Sequence, residues 1–140
     1  MIVTFDFDGT FWRWAFDPDD GIFSRSGGPD PNALDIINLL KQEGASVHIV
    51  TSRGSSTRNE VESLLTEHRH LFDGIHFTEG AWKSKKLAEL GSAIHHDDDP
   101  EEILRLEPRT RGVLWKTGHL DENLNVCDPD LPRFHFSNWE

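Results

Sequence analysis

MIVTFDFDGT, from Met1 to Thr10, is the stretch on which the reading of the whole chain turns. Ile2, Val3, Phe5 and Phe7 form a short block rich in β-branched and aromatic side chains, closed by Gly9, and such a block reads as a buried strand. Asp6 and Asp8 stand at its carboxyl end. Residues two apart on a strand point to the same side, so both carboxylates share one side of the strand end. Close carboxylates repel each other unless one takes a proton or a cation sits between them, and an all-oxygen donor set suits a hard ion such as magnesium.

Outward from this block, helix and strand patterns alternate. Residues 11–30 carry Trp12, Trp14, the acidic run from Asp17 to Asp20 and the pair Gly27-Gly28, and read as a loop or flap without a long element. Asp30 and Pro31 suit an N-cap and first turn, and Ala33, Ile36, Ile37 and Leu40 follow at helical spacing until Gly44. Val47, Ile49 and Val50 predict a second buried strand, ending in Thr51, Ser52 and Arg53. Thr57 and Glu60 have capping-box spacing ahead of Val61, Leu64, Leu65 and His68 on one helical face. The pattern then predicts a third strand over 74–78, a helix over 81–90 that stops at Gly91, and a fourth strand running into Asp97. Asp99, Pro100 and Glu102 cap a further short helix. Val113, Leu114 and Trp115 supply a fifth strand over 111–116, and residues beyond Thr117 read as an irregular tail.

This order predicts one α/β domain over 1–140, three-layered and Rossmann-like, with a mainly parallel sheet and helices on both faces. The strand ending at Asp6 and Asp8 is expected at its centre, beside those ending at Thr51 and Asp97. Ligands bind such sheets at the carboxyl ends of the strands, which singles out Asp6, Asp8, Thr51, Asp97 and Asp98. His95 and His96 are adjacent on a strand, point to opposite faces, and read as structural.

Composition narrows the function classes. The chain has 140 residues with 14 Lys plus Arg against 25 Asp plus Glu, a formal net charge of −11. That charge repels phosphate backbones and anionic lipid at long range, so it disfavours duplex nucleic acid and membrane surfaces as partners. It does not oppose a small phosphorylated ligand held through a metal. Hydrophobic residues make up only 36% of the chain, yet nine Phe and five Trp supply bulky core material that disordered chains lack. A lone cysteine, Cys127, forms no intramolecular disulfide and fits a reducing compartment, with the cytoplasm as the expected location. No apolar run approaches the roughly 18 residues of a membrane span, and no secretory signal pattern is present.

With these motifs in place the chain resembles the haloacid dehalogenase superfamily, over roughly Met1 to Leu106. FDFDGT, from Phe5 to Thr10, is similar to that family's first motif, Asp-x-Asp-x-Thr after the first strand. Thr51 in HIVTSRG matches the second, and the acids in AIHHDDDP match the fourth. For the third, a lysine near a helix start, GAWKSKKLAEL offers Lys83, Lys85 and Lys86; Lys83 is favoured because it opens the helix four residues before Leu87. The resemblance implies a phosphatase in which Asp6 is the nucleophile, Asp8 the general acid and base, Thr51 a hydrogen-bond donor to the phosphoryl group and Lys83 its charge partner. It also implies Mg²⁺ bound by Asp6, the main-chain carbonyl of Asp8, and Asp97, with Asp98 in support.

The gaps after the first and second motifs are too short for a substantial cap domain, so the site is expected to be open, guarded only by the flap. DGTFWRWAFD is similar to the start of the magnesium-dependent phosphatase-1 group. TSR at Thr51 to Arg53 and the closing Asn138-Trp139-Glu140 look like small bacterial and phage nucleotidases. Ser52, Arg53 and Trp12 are therefore substrate-binding candidates, with packing as the competing role for Trp12 and Trp14. The expected substrate is a nucleoside monophosphate or another small phosphate ester. Alternatives are a phosphoprotein, phosphotyrosine or sugar-phosphate phosphatase, a phosphatase for nucleic-acid ends, and a non-catalytic binding module of the same fold.

Overall fold

The computed structural model describes residues 1–17, 19, 22–24 and 27–116. The expected tail over 117–140, with Cys127 and Asn138 to Glu140, lies outside the described residues, as do parts of the flap.

The first strand, β1 (Ile2–Phe5), alternates as the sequence requires. Val3 and Phe5 enter one hydrophobic cluster with Phe7, Phe11, Val47, Ile49 and Ile75, while Thr4 is buried on the other side. A short hairpin follows, β2 (Ala15–Asp17) paired antiparallel with β3 (Ile22–Ser24). Helix α1 (Pro31–Gln42) starts where Asp30 Oδ1 accepts from the amides of Asn32 at 2.8 Å and Ala33 at 3.0 Å. It is followed by Gly44 at φ +86°, a left-handed turn that glycine adopts without a Cβ penalty.

The remaining elements are β4 (Ser46–Thr51), α2 (Arg58–Leu64), β5 (Gly74–Phe77), α3 (Ser84–Leu90), β6 (Ser92–Asp97), α4 (Pro100–Leu104) and β7 (Arg111–Leu114). The five strands other than the hairpin form one wholly parallel sheet in the order β5-β4-β1-β6-β7, a Rossmann-like arrangement with β1 at the centre. Ala33 and Ile37 of α1 and Val61 of α2 complete the cluster over Val3, Phe5 and Ile49. Each such large aliphatic or aromatic side chain contributes about 1.5–3 kcal/mol on full burial. On β6 pack α3 and α4. Phe5 sits opposite Ile49 on one neighbour and His96 on the other, so Asp6, Thr51 and Asp97 come to the same edge of the sheet.

Local expectations needed four corrections. The flap is not plain loop but contains the β2-β3 hairpin, whose three-residue strands are too short to leave an alternating signature. Thr57 does not cap α2: a 3₁₀ turn over Ser55–Thr57 leads into the helix, and Thr57 Oγ1 donates instead to the Gly54 carbonyl at 2.9 Å. That helix ends at Leu64, before His68. Helix α3 starts three residues later than predicted, because Glu79 and Gly80 both take positive φ and turn the chain before Lys83. Among the described residues no helix is long and apolar enough to cross a membrane.

Candidate metal and catalytic site

Parallel pairing delivers the acids. Asp6 follows β1 directly, with its amide bonded to the His96 carbonyl at 2.9 Å, and Asp97 closes β6. Lys83, in the turn before α3, reaches between them: its Nζ lies 2.7 Å from Asp6 Oδ1 and 2.7 Å from Asp97 Oδ2, with only 3% of the side chain exposed. Of the three candidate lysines it alone is buried; Lys85 is exposed and Lys86 pairs with Glu89. The Lys83 amide is fixed by the buried Glu102, whose Oε1 accepts from it at 3.1 Å. Glu102 therefore serves the neighbouring turn rather than closing a capping box on its own helix.

Asp98 completes an acidic triad with Asp6 and Asp97, in which one oxygen from each lies within 4.8 Å of the others. Thr10 ties the triad to the first loop. Its hydroxyl donates to Asp6 Oδ2 at 3.3 Å and accepts from the Asp98 amide at 3.1 Å. Gly9, at φ +80°, makes room for it, because a Cβ there would overlap an Asp98 carboxyl oxygen and lie 3.1 Å from Trp14 Nε1.

Three carboxylates face one ammonium, and their protonation reflects that imbalance. Burial, then the charge of Asp97, pushes the Asp6 carboxyl well above the usual carboxylate range against the pull of Lys83. The Asp98 residue reaches the surface, but its carboxyl sits amid dense protein, and this desolvation with the Asp97 charge lifts it to about 7. Burial also acts to raise Asp97, yet the Lys83 charge and the bonds from His95 and Lys83 overrule it and hold Asp97 at about 2. For Lys83 burial opposes the charge, and Asp6 and Asp97 reverse that and raise its pKa. Asp97 is thus held as the anion, while burial and the Asp97 charge push the Asp6 and Asp98 carboxyls toward protonation, which a cation would oppose. This all-oxygen donor set of Asp6, Asp97 and Asp98 could hold a metal ion.

The other expected residues fall around this centre. Asp8 turns its carboxylate away from the triad to Arg53, whose Nε donates to Oδ2 at 2.8 Å and Nη2 to Oδ1 at 3.4 Å. Thr51 is buried at the end of β4, where its hydroxyl oxygen accepts from the Arg53 amide at 3.3 Å and its proton is left to donate. Ser52 is exposed at the same strand end. Arg53 lies 5.5 Å above the Phe7 ring and also reaches Glu60, so it is first a clamp on Asp8. Trp12, expected to contact substrate, is only 8% exposed and stacks on Phe7 with ring centroids 5.9 Å apart. That placement is core packing; Trp14 is half-buried beside Gly9.

Sequence reasoning passed over Thr10, Glu102 and, most of all, His95, whose Nε2 lies 2.8 Å from Asp97 Oδ2. The signal was available. The period of two that separates His95 from His96 also puts His95 on the same side as Asp97. Neither a protein-family model nor a curated protein matches the chain.

Proposed function

We propose that this chain is a magnesium-dependent phosphomonoester hydrolase of the haloacid dehalogenase type, acting through a phosphorylated Asp6. The observation that carries this reading is the buried cluster of Asp6, Lys83 and Asp97 at the carboxyl edge of a parallel sheet. Its residues come from three separate chain segments, in the order the family's motifs require.

Asp6, Asp97 and Asp98, with the Asp8 carbonyl, would hold magnesium, which when bound supplies the positive charge that lets a phosphate dianion approach these acids. An Asp6 carboxylate oxygen attacks phosphorus, the bond to the leaving oxygen breaks, and that oxygen takes the Asp8 proton. Asp8 then removes a proton from water, which attacks the aspartyl phosphate and releases inorganic phosphate and free Asp6. Thr51 donates to the transferring group and Lys83 balances its charge. Arg53 holds Asp8 in place between these steps.

The substrate class is a small phosphate ester. Burial of Trp12 withdraws one support for a nucleoside monophosphate, and Trp14, beside Gly9, becomes the aromatic candidate to meet an aryl or base moiety. The test is a panel of nucleoside monophosphates, sugar phosphates and phosphopeptides with saturating magnesium. Turnover of one class is expected in the native chain, with none in Asp6→Asn and a loss of about 10²–10⁴-fold in Asp8→Asn. Absence of hydrolysis across the panel, or undiminished turnover in Asp6→Asn, overturns the proposal.

A further inference from the structure

One layer beneath the acids, a chain of buried polar groups joins the two strands that present them. His95 is wholly buried, and its ring bridges Asp97 Oδ2 at 2.8 Å and Thr4 Oγ1 at 2.8 Å. Thr4 Oγ1 in turn lies 2.8 Å from Ser92 Oγ and, with its own proton directed at His95, accepts from the Ser92 hydroxyl. Thr4 stands two residues before Asp6 on β1, and His95 two before Asp97 on β6.

The proton directions are set from the carboxylate end. Asp97 only accepts, so His95 Nε2 carries the hydrogen; Nδ1 then has a lone pair and accepts from the Thr4 hydroxyl. A core without function has no need of this arrangement. A valine and leucine pair would fill the same space without desolvating three polar side chains, whose burial is tolerated only when every bond is made.

The bonds on Asp97 explain what the arrangement achieves. Oδ2 accepts from Lys83 and His95, and Oδ1 accepts from the Asp99 amide at 3.0 Å. Lys83 is on a flexible stem, and the Asp99 amide belongs to the following loop. The imidazole is a planar, fully buried donor on the same strand as Asp97, anchored from behind by Thr4. Without it, the carboxylate keeps its place on the strand but loses a constraint on rotation about its own axis, and its remaining lone pairs no longer face a fixed direction.

We propose that His95 is a positioning residue that fixes the orientation of the Asp97 carboxylate for a divalent cation, and that Thr4 holds His95 in turn. This rests on the reading of Asp6, Asp97 and Asp98 as a cation site. The hydrogen-bond partners of metal-bound groups contribute about 10–100-fold in metal affinity when removed.

The experiment measures the magnesium dissociation constant of the full chain by titration calorimetry, with thermal melting in metal-free buffer as a check on folding. His95→Leu removes the donor at similar volume, His95→Gln retains an N–H near the Nε2 position, and Thr4→Val removes the anchor. His95→Leu is expected to raise the dissociation constant about 10–100-fold, His95→Gln to recover most of that loss, and Thr4→Val to fall between them. If His95→Leu does not fold, the contrast between His95→Gln and Thr4→Val carries the test, with Thr4→Val the weaker binder. Native affinity in His95→Leu, or in Thr4→Val where the leucine variant is lost, overturns the role of His95 alone. A native chain that binds no magnesium overturns the cation site, and this inference with it; native binding without turnover overturns only the phosphatase reading.

Discussion

Lys83 Nζ stands 2.7 Å from Asp6 Oδ1 and 2.7 Å from Asp97 Oδ2, so one lysine from the turn before α3 bridges carboxylates from two neighbouring strands. Removing it leaves both buried acids without a counter-charge. Breaking a buried ion pair from one side costs about 3–5 kcal/mol. Lys83→Met, which keeps the stem volume, is expected to melt well below the native chain in metal-free buffer, with magnesium closing part of the gap. Equal melting temperatures without metal would show that the acids do not depend on the lysine.

Cation binding should eject protons. The Asp98 carboxyl lies at about 7, raised by desolvation and by Asp97, so at neutral pH the cluster holds protons that compete with magnesium. Affinity is therefore expected to fall as pH drops below about 7, by about tenfold per pH unit for each proton displaced. Calorimetry in two buffers of different ionisation enthalpy reads that number directly. A dissociation constant flat between about pH 6 and 8 contradicts the assignment.

Acid sensitivity of the fold should come from His96. Its ring stacks on Phe5 with centroids 4.0 Å apart, and its Nδ1–H donates to the Thr4 carbonyl at 3.1 Å. Burial pushes its pKa down to about 4 from 6.5. Between these values the unfolded chain binds a proton that the folded chain refuses, so the contribution of His96 to stability falls as pH drops through the window, while the raised Asp98 carboxyl acts in the opposite direction. The span corresponds to about 3 kcal/mol. Asp97, held at about 2, loses its contribution only at lower pH. Urea midpoints for the native chain and His96→Phe at about pH 7 and 4.5 isolate the effect, the variant losing less on acidification. Parallel losses would assign the sensitivity elsewhere.

Gly9→Ala probes the backbone of the site. The left-handed φ and the overlap with Asp98 both resist a Cβ, and together are expected to cost about 1–3 kcal/mol. Because the carboxyl of Asp98 must move, magnesium affinity should fall with stability. Urea unfolding and calorimetry measure the two; a stable variant of native affinity shows that Asp98 yields without consequence.

Much of this was legible because it rests on local rules. The apolar block before Asp6, the Asp30-Pro31 start and the Gly44 stop are each decided within a few residues, and a parallel sheet then gathers strand ends on one edge. The choice of Lys83 over Lys85 and Lys86 also follows from its place before the helix. What escaped depends on partners distant in sequence. Asp8 is held by Arg53 and Glu102 by the Lys83 amide, and neither contact leaves a periodic trace. His95 was missed for a different reason: its pairing with Asp97 was readable two residues away, but it was weighed only against His96.

The central place of β1 has a kinetic consequence. Its neighbour β6 lies far along the chain, so that the Thr4–His95 bond closes a separation of 91 positions. During synthesis β1 emerges well before that partner, and until β6 arrives one of its edges stays open to other chains. Non-local parallel pairing of this kind folds slowly, since a long loop must close before any contact rewards it. Slow refolding, with aggregation that increases as protein concentration rises, is the behaviour this topology favours.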